Sequence, residues 1–436
     1  MSQRLIEPMP DGGVAAAEAL AGGASPPVLL PQRRRPISDT LVIRARELCT
    51  AHPILVTVVL LGLFSLLRLA LYVLIADGHG GFAHAICKYD CYWYQDTARH
   101  GYDLTSRGDT AGNTANWAFF PLYPMLLGIF AALRLSDAAL TAAGVMLSTA
   151  CFIAFGTLGA LYLRHTATDR TKAEGFAPLL AWLGFLTLWP GTLYFSMPYS
   201  EALYALLMTA SLFALIRQRP VGSAIGCALL DATRPTGLLM VPVIAVERLR
   251  MLWGAWHSGA LRRDPIGHAA ALILPLAIAP LGLVGFVAYL YWHVGDGLAF
   301  GHVQAAWHRH SLPPWDFLWE GLVAHDWSQV FASPAHESLS VEAAVGILGL
   351  VLALRQALVG RYAEAWLIGA SILMASTAGL QSLPRFLLTN PITILALFRI
   401  LRGSFLPRVF WGVTVALGAF QLLMMLGWYT NAPILS

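Results

Sequence analysis

Asp90 and Asp96 stand among Tyr89, Tyr92, Trp93 and Tyr94 in the stretch KYDCYWYQDTARHGYD, which runs from Lys88 to Asp103. A carboxylate held beside aromatic rings, where water is restricted, is suited to take a proton from a hydroxyl group. Two arginines sit on turns beside proline, Arg234 in DATRPTG and Arg385 in SLPRF. A planar guanidinium makes paired, charge-assisted hydrogen bonds to phosphate, so both are candidate anion binders. Arg234 has a blander reading as the ion-pair partner of Asp231, three residues earlier. Glu201, in MPYSEALY, opens an apolar run, where the helix dipole alone would favour a carboxylate. The later stretch GHVQAAWHRH adds His302, Gln304, Trp307 and His308 without an HExxH or comparable metal pattern, so no metal or other cofactor is expected. Cys87 and Cys91, with His84 and His100 nearby, imitate a metal site, but two free thiols or a local disulfide are the stronger readings.

These groups must be positioned by a chain that is 57% hydrophobic and 12% charged over 436 residues. Soluble proteins carry roughly a quarter charged residues, and the apolar runs approach the roughly 20 residues that cross a bilayer core as a helix. The expectation is an all-α polytopic membrane protein. Its net charge of +4 comes from dispersed arginines, so no nucleic-acid partner is implied. Residues 1–52 read as a disordered, basic cytoplasmic tail, followed by a single transmembrane domain over 53–436.

Lys and Arg enrichment in cytoplasmic loops sets the threading. Pro53 to Ala76 crosses outward, which places the first outer loop at 77–137. Phe119 to Leu135 is short, carries two prolines, and is read as re-entrant or interfacial. Further spans follow at 138–163, 176–189, 199–216, 266–292, 341–354, 363–380, 386–401 and 409–428, with two short arms at 221–230 and 238–246 flanking DATRPTG. A second outer loop covers 295–339. The total is about 11 crossings, with the N-terminus inside and the C-terminus outside. Most of the 28 Lys and Arg residues then lie inside, whereas Asp90, Asp96, Glu201, Arg234, His302, Gln304, Trp307, His308 and Arg385 gather at the outer ends of spans. Arg68, inside the first span, is expected to snorkel toward an interface. Ionisable residues clustered at one membrane face are candidates for function.

Within the first outer loop, helical periodicity places Asp90, Trp93, Tyr94 and Thr97 on one face and Tyr89, Tyr92, Asp96 and Arg99 on another. Gly101 is a natural stop. The helix would lie along the interface with its aromatics in the headgroup zone. A plain anchoring helix with solvated acids is the alternative reading.

The motifs YDCYWYQDTARHGYD, FFPLYPML, PYSEALYALL, ATRPTG and PRFLL, in this order from Tyr89 to Leu388, resemble the membrane mannosyltransferases related to the GPI second-mannose transferase (PIG-V). That family carries a pattern like WDxxWYxxIAxxGY, then FFPLYP, YSE and A-T-R-x-x-G. FGHVQAAW is similar to its bacterial members. Tyr89 stands where the family usually has Trp.

The resemblance implies a GT-C-type fold and an inverting glycosyltransferase. In that superfamily a sugar is presented on the outer side as a polyprenyl-phosphate or dolichyl-phosphate ester, and a carboxylate in the first outer loop deprotonates the acceptor hydroxyl. Asp90 matches that aspartate, and Arg234, with Arg385, is the expected holder of the donor phosphate. Trp93, Tyr94, Asp96, Tyr199, Glu201, Gln304, Trp307 and His308 are the expected substrate contacts. The expected donor is polyprenyl-phosphate mannose, with a glycolipid, glycan or protein acceptor, in a bacterial inner membrane with the active site facing the periplasm. A flippase or transporter of lipid-linked saccharides is the first alternative; it would favour internal repeats and midplane charge, and neither is visible. A polymerase or ligase using a similar donor is the second.

Overall fold

The computed structural model describes residue 47 and residues 51–108, 113–167, 177–307, 309, 311–323 and 338–430. The chain divides into Met1–Glu47 and Leu48–Ser436, and the second unit carries everything that follows. The tail expected over 1–52 lies almost wholly outside the described residues. All regular elements among the described residues are helical. Helices Pro53–His79, Asp137–His165, Leu339–Leu358 and Pro407–Tyr429 are each long and apolar enough to cross a membrane. Three bent pairs raise that number to as many as seven: Ala177–Leu188 with Pro190–Ser196 (71°), Pro265–Ile278 with Leu281–Val294 (45°), and Leu383–Thr389 with Pro391–Ser404 (65°). The chain is therefore a multi-pass, all-helical membrane protein. Glu201–Ile216, Pro220–Asp231 and Tyr362–Ser376 are apolar but have fewer than 18 residues, so length alone does not add them to the expected crossings.

The first span shows how composition becomes packing. Pro53–Ala76 starts with proline at its first turn, where the missing N–H costs nothing. Its 24 residues rise about 36 Å, enough for a bilayer core. Leu61, Ser65, Arg68, Tyr72 and Ala76 are buried along one stripe, whereas Leu66, Leu67 and Leu74 are exposed on the other side. The structure corrects the snorkelling expectation for Arg68. Its Nε donates to Ser196 Oγ at 2.9 Å, its guanidinium lies 4.9 Å from the Phe152 ring centre, and the side chain is buried inside the bundle. The segment read as re-entrant or interfacial contains a ten-residue helix, Leu122–Ala131. At about 15 Å it reaches halfway through a bilayer core.

The bends are built, not frayed. Between Leu188 and Pro190 the chain leaves the helix, and the Trp189 carbonyl is taken by Gln421 Nε2 at 2.7 Å and by Thr192 Oγ1 at 2.6 Å. Gln421 comes from the last span, so that span locks the break. At the other break Asn390 Oδ1 accepts the backbone N–H groups of Ile392 and Thr393 and restarts a helix. Trp189 Nε1 donates to the Leu388 carbonyl at 2.6 Å and joins the two breaks. Irregular backbone at membrane depth needs such internal partners.

Gly191 is required by this junction, because a Cβ there would collide with the Leu388 carbonyl oxygen. Gly191→Ala should cost about 1–3 kcal/mol through overpacking, read as a lower melting temperature in detergent. Gly412→Ala, where a Cβ meets open space, should leave that temperature unchanged or raise it; equal losses for both variants would contradict the close junction.

Candidate active site

The opening stretch forms a helix, Asp90–His100, with Asp90 as its first residue and Gly101, at φ +78°, ending it as expected. The start of this helix is clamped. Cys87 and Cys91 form a disulfide across it, so the local-disulfide reading holds. Lys88 Nζ donates to the carbonyls of Trp428 and Tyr429 at the end of the last span, and Tyr199 donates its hydroxyl to the Lys88 carbonyl at 2.8 Å. Tyr89 is held at φ +45°, an uncommon conformation for a bulky residue, with its ring 5.5 Å from Trp428. Such conformations persist where the surroundings over-determine them. Here they fix where Asp90 points.

Asp90 Oδ2 accepts from Arg385 Nη2 at 2.7 Å, across 295 residues of sequence. Arg385 Nε lies 3.3 Å from Glu201 Oε1. The same oxygen receives Arg234 Nη2 at 2.5 Å, and Arg234 Nε donates to Ser200 Oγ at 3.1 Å. Tyr94 completes the chain by donating its hydroxyl to Ser200 Oγ at 2.8 Å. The result is a continuous line, Asp90–Arg385–Glu201–Arg234–Ser200–Tyr94. The Glu201 side chain is fully buried, Arg385 is nearly so, and Asp90 keeps 25% of its side-chain surface open. Among the described residues Asp90 Oδ1 has no hydrogen-bond partner and is not among the buried unpartnered atoms, so one oxygen is pinned and the other is open to a partner. Phe386 sits beside both guanidiniums, 5.1 Å from Arg234 and 5.4 Å from Arg385.

Arg234 thus pairs with Glu201, not with Asp231, which is buried with Oδ2 unpartnered. Glu201 is the first residue of helix Glu201–Ile216, where the dipole helps it, but two guanidiniums dominate its surroundings. Tyr199 is buried with its ring 5.4 Å from the Arg385 guanidinium. Burial holds the Tyr94 phenol well above its ordinary range, which keeps it neutral and a hydrogen-bond donor.

An aromatic wall stands beside the charges. Trp93 stacks on Phe119 with ring centres 5.6 Å apart, and Trp307, from the segment after helix Leu281–Val294, meets Trp93 edge-on at 5.8 Å. Gln304 lies in the same short turn, Val303–Trp307. His302 instead pairs with Asp296 in an exposed position, and His308 lies outside the described residues. Asp96 is also apart from the charge line. It faces Arg107 and His100, and Arg107 covers Trp93 with its guanidinium 4.6 Å from the ring. Burial pushes the Asp96 carboxyl up, but hydrogen bonds from Arg107 and His100 outweigh it and hold it below its ordinary value.

Three contributors went unread in the sequence. Ser200 precedes the chosen Glu201 and joins Arg234 to Tyr94. Arg309 lies inside GHVQAAWHRH, half-buried, and donates to Gln304 Oε1 at 3.3 Å. Lys88 anchors the helix start. Among the described residues no three His, Cys, Asp or Glu side chains group as metal ligands.

Glu201→Gln keeps the shape but leaves the buried Arg385 and the half-buried Arg234 short of a counter-charge, so it should destabilise the fold by about 3–5 kcal/mol. Asp96→Asn, in a partly exposed pair, should change stability by about 1 kcal/mol or less. Because the folded Asp96 carboxyl ionises at lower pH than when unfolded, that small contribution is present near neutrality and lost as pH falls through its depressed value. Thermal unfolding of the two variants beside the wild type checks the contrast, and equal shifts would contradict it.

A family model described as Mannosyltransferase (PIG-V) matches residues 59–331, more than half of the chain. The match takes in Asp90, Glu201, Arg234 and Trp307, and it stops short of Arg385. No curated protein and no solved structure matches the chain. With its motifs in order and a family model covering residues 59–331, the chain belongs to the PIG-V mannosyltransferase family, multi-pass membrane glycosyltransferases that act on mannose.

Proposed function

We propose that this protein is an inverting mannosyltransferase that takes mannose from polyprenyl phosphate and places it on a hydroxyl of a lipid-linked, glycan or protein acceptor. The reading places the reaction at the periplasmic face of a bacterial inner membrane, on a GT-C-type fold with the N-terminus cytoplasmic. One observation carries it: a carboxylate with one oxygen fixed by Arg385 and the other open, set in a line of alternating charges beside an aromatic wall.

That arrangement suits the chemistry. A sugar hydroxyl is a poor nucleophile until its proton is removed. Asp90 Oδ1 takes the proton as the acceptor oxygen bonds to the anomeric carbon. The bond from that carbon to the phosphate oxygen breaks, its electron pair leaves with the phosphate, and configuration inverts because no enzyme-bound sugar forms. A positioned base contributes about 10²–10⁴-fold. Arg234 and Arg385 supply a positive field toward which the phosphate is drawn. Trp93 and Trp307 offer faces for sugar rings. The disulfide at the start of the catalytic helix supports an outer location, since such bonds persist in oxidising compartments. The Lys and Arg asymmetry of the sequence threading favours the same orientation.

Asp90→Asn should fold and insert but lose transfer by about 10²–10⁴-fold. Arg234→Ala should weaken donor use, and Asp96→Asn should stay within a few-fold of wild type. The check is transfer of label from polyprenyl-phosphate mannose to a cell lipid extract by purified protein in lipid. Equal product from wild type and Asp90→Asn would remove Asp90 as the base.

A further inference from the structure

Arg234 and Arg385 are already occupied. Each guanidinium is within ion-pair distance of a carboxylate, Glu201 for one and both Glu201 and Asp90 for the other. A third cation stands nearby in a different condition. Arg309 follows the turn Val303–Trp307, between two anchors of the second outer loop. Trp307 packs against Trp93 and Phe119, and the Leu312 N–H donates to the Thr377 carbonyl at 3.1 Å. The Arg309 side chain is partly buried, and the charges acting on it are Asp90, Glu342 and Arg385. It nevertheless forms no ion pair with a carboxylate among the described residues. Its hydrogen bond runs from Nη1 to the neutral Gln304 Oε1 at 3.3 Å. Glu342, on the helix Ser338–Leu358, accepts from the Ser382 backbone N–H instead.

A guanidinium has five N–H donors. Taking one out of water without an anion is unfavourable, and burial lowers the Arg309 pKa although Asp90 opposes the shift. We infer that Arg309 is the direct ligand of the donor phosphate, delivered over the catalytic helix by the second outer loop, while Arg234 and Arg385 hold carboxylates and shape the field. This rests on the reading of the site as one for a phosphate-linked donor. A phosphate beside Asp90 would give Arg309 the charge-assisted, two-point partner it lacks.

The test is equilibrium binding of radiolabelled polyprenyl phosphate and of polyprenol to the purified full chain in lipid discs. Wild type should bind the phosphate more tightly than the alcohol. Arg309→Gln should weaken phosphate binding on the order of 10- to 100-fold and leave polyprenol unchanged. Arg309→Lys, which keeps the charge and loses the fork, should fall between the two and also covers failure of the glutamine variant to fold. Wild-type preference for the phosphate with unaltered binding by both variants would overturn the role of Arg309 and leave the site reading in place. No preference in the wild type would overturn both.

Discussion

Glu201 is a carboxylate with no exposed side-chain surface, and it is shared by two guanidiniums. A buried charge without a partner is among the costliest features a fold can carry. The positions of Arg234 and Arg385 are therefore tied to each other through this one group. Arg385 then extends the constraint to Asp90. Three distant parts of the chain, the helix Asp90–His100, the turn after Pro220–Asp231 and the short helix Leu383–Thr389, must meet at the start of helix Glu201–Ile216. An aspartate at the rim of such a line has its direction set before any substrate arrives, which is the preorganisation that the proposed role as base requires.

The bundle supports this meeting point with broken helices. The breaks at Trp189 and Asn390 bring the backbone carrying Tyr199, Ser200 and Glu201 beside the helix carrying Arg385. The polar groups freed there are absorbed by Gln421, Thr192 and Trp189 and by the Asn390 cap. Small residues allow the approach. A Cβ at Gly144 would lie 2.6 Å from Pro198, in the loop that leads into Glu201. The lipid-facing surfaces are ordinary by comparison, with leucines and valines outward along the first span. Chemistry and irregular backbone occur together, and regular helix serves as the frame.

Local physics made much of this readable. Apolar length and a leading proline placed the first span at its observed ends, Pro53 and Ala76, and periodicity with Gly101 bounded the helix that begins at Asp90. The gathering of Asp90, Glu201, Arg234, Arg385 and Trp307 followed from charge asymmetry along the threaded chain. What stayed hidden depends on tertiary partners. Asp231 is three residues from Arg234 and Glu201 thirty-three residues away, so sequence proximity suggested the wrong pair. Arg68 looked free to snorkel because the Ser196 hydroxyl that receives it lies 128 residues later. Asp96 shares a helix with Asp90 but faces Arg107 on another side. The breaks in the spans were invisible because Gln421 and Leu388, which stabilise one of them, are remote in sequence.

Membership of the family makes the chain a glycosyltransferase that acts on mannose, and the proposal adds a phosphate-linked donor with Asp90 as the base. The most direct measurement is cryo-electron microscopy of the full chain in a lipid disc with a non-transferable phosphonate analogue of polyprenyl-phosphate mannose. The expected result is the anomeric carbon beside Asp90 Oδ1, with room for an acceptor hydroxyl between them, and the phosphonate among Arg309, Arg234 and Arg385. Analogue density at the opposite face of the bundle, or on the outer face with its sugar turned away from Asp90, would contradict the assignment of Asp90 as the base.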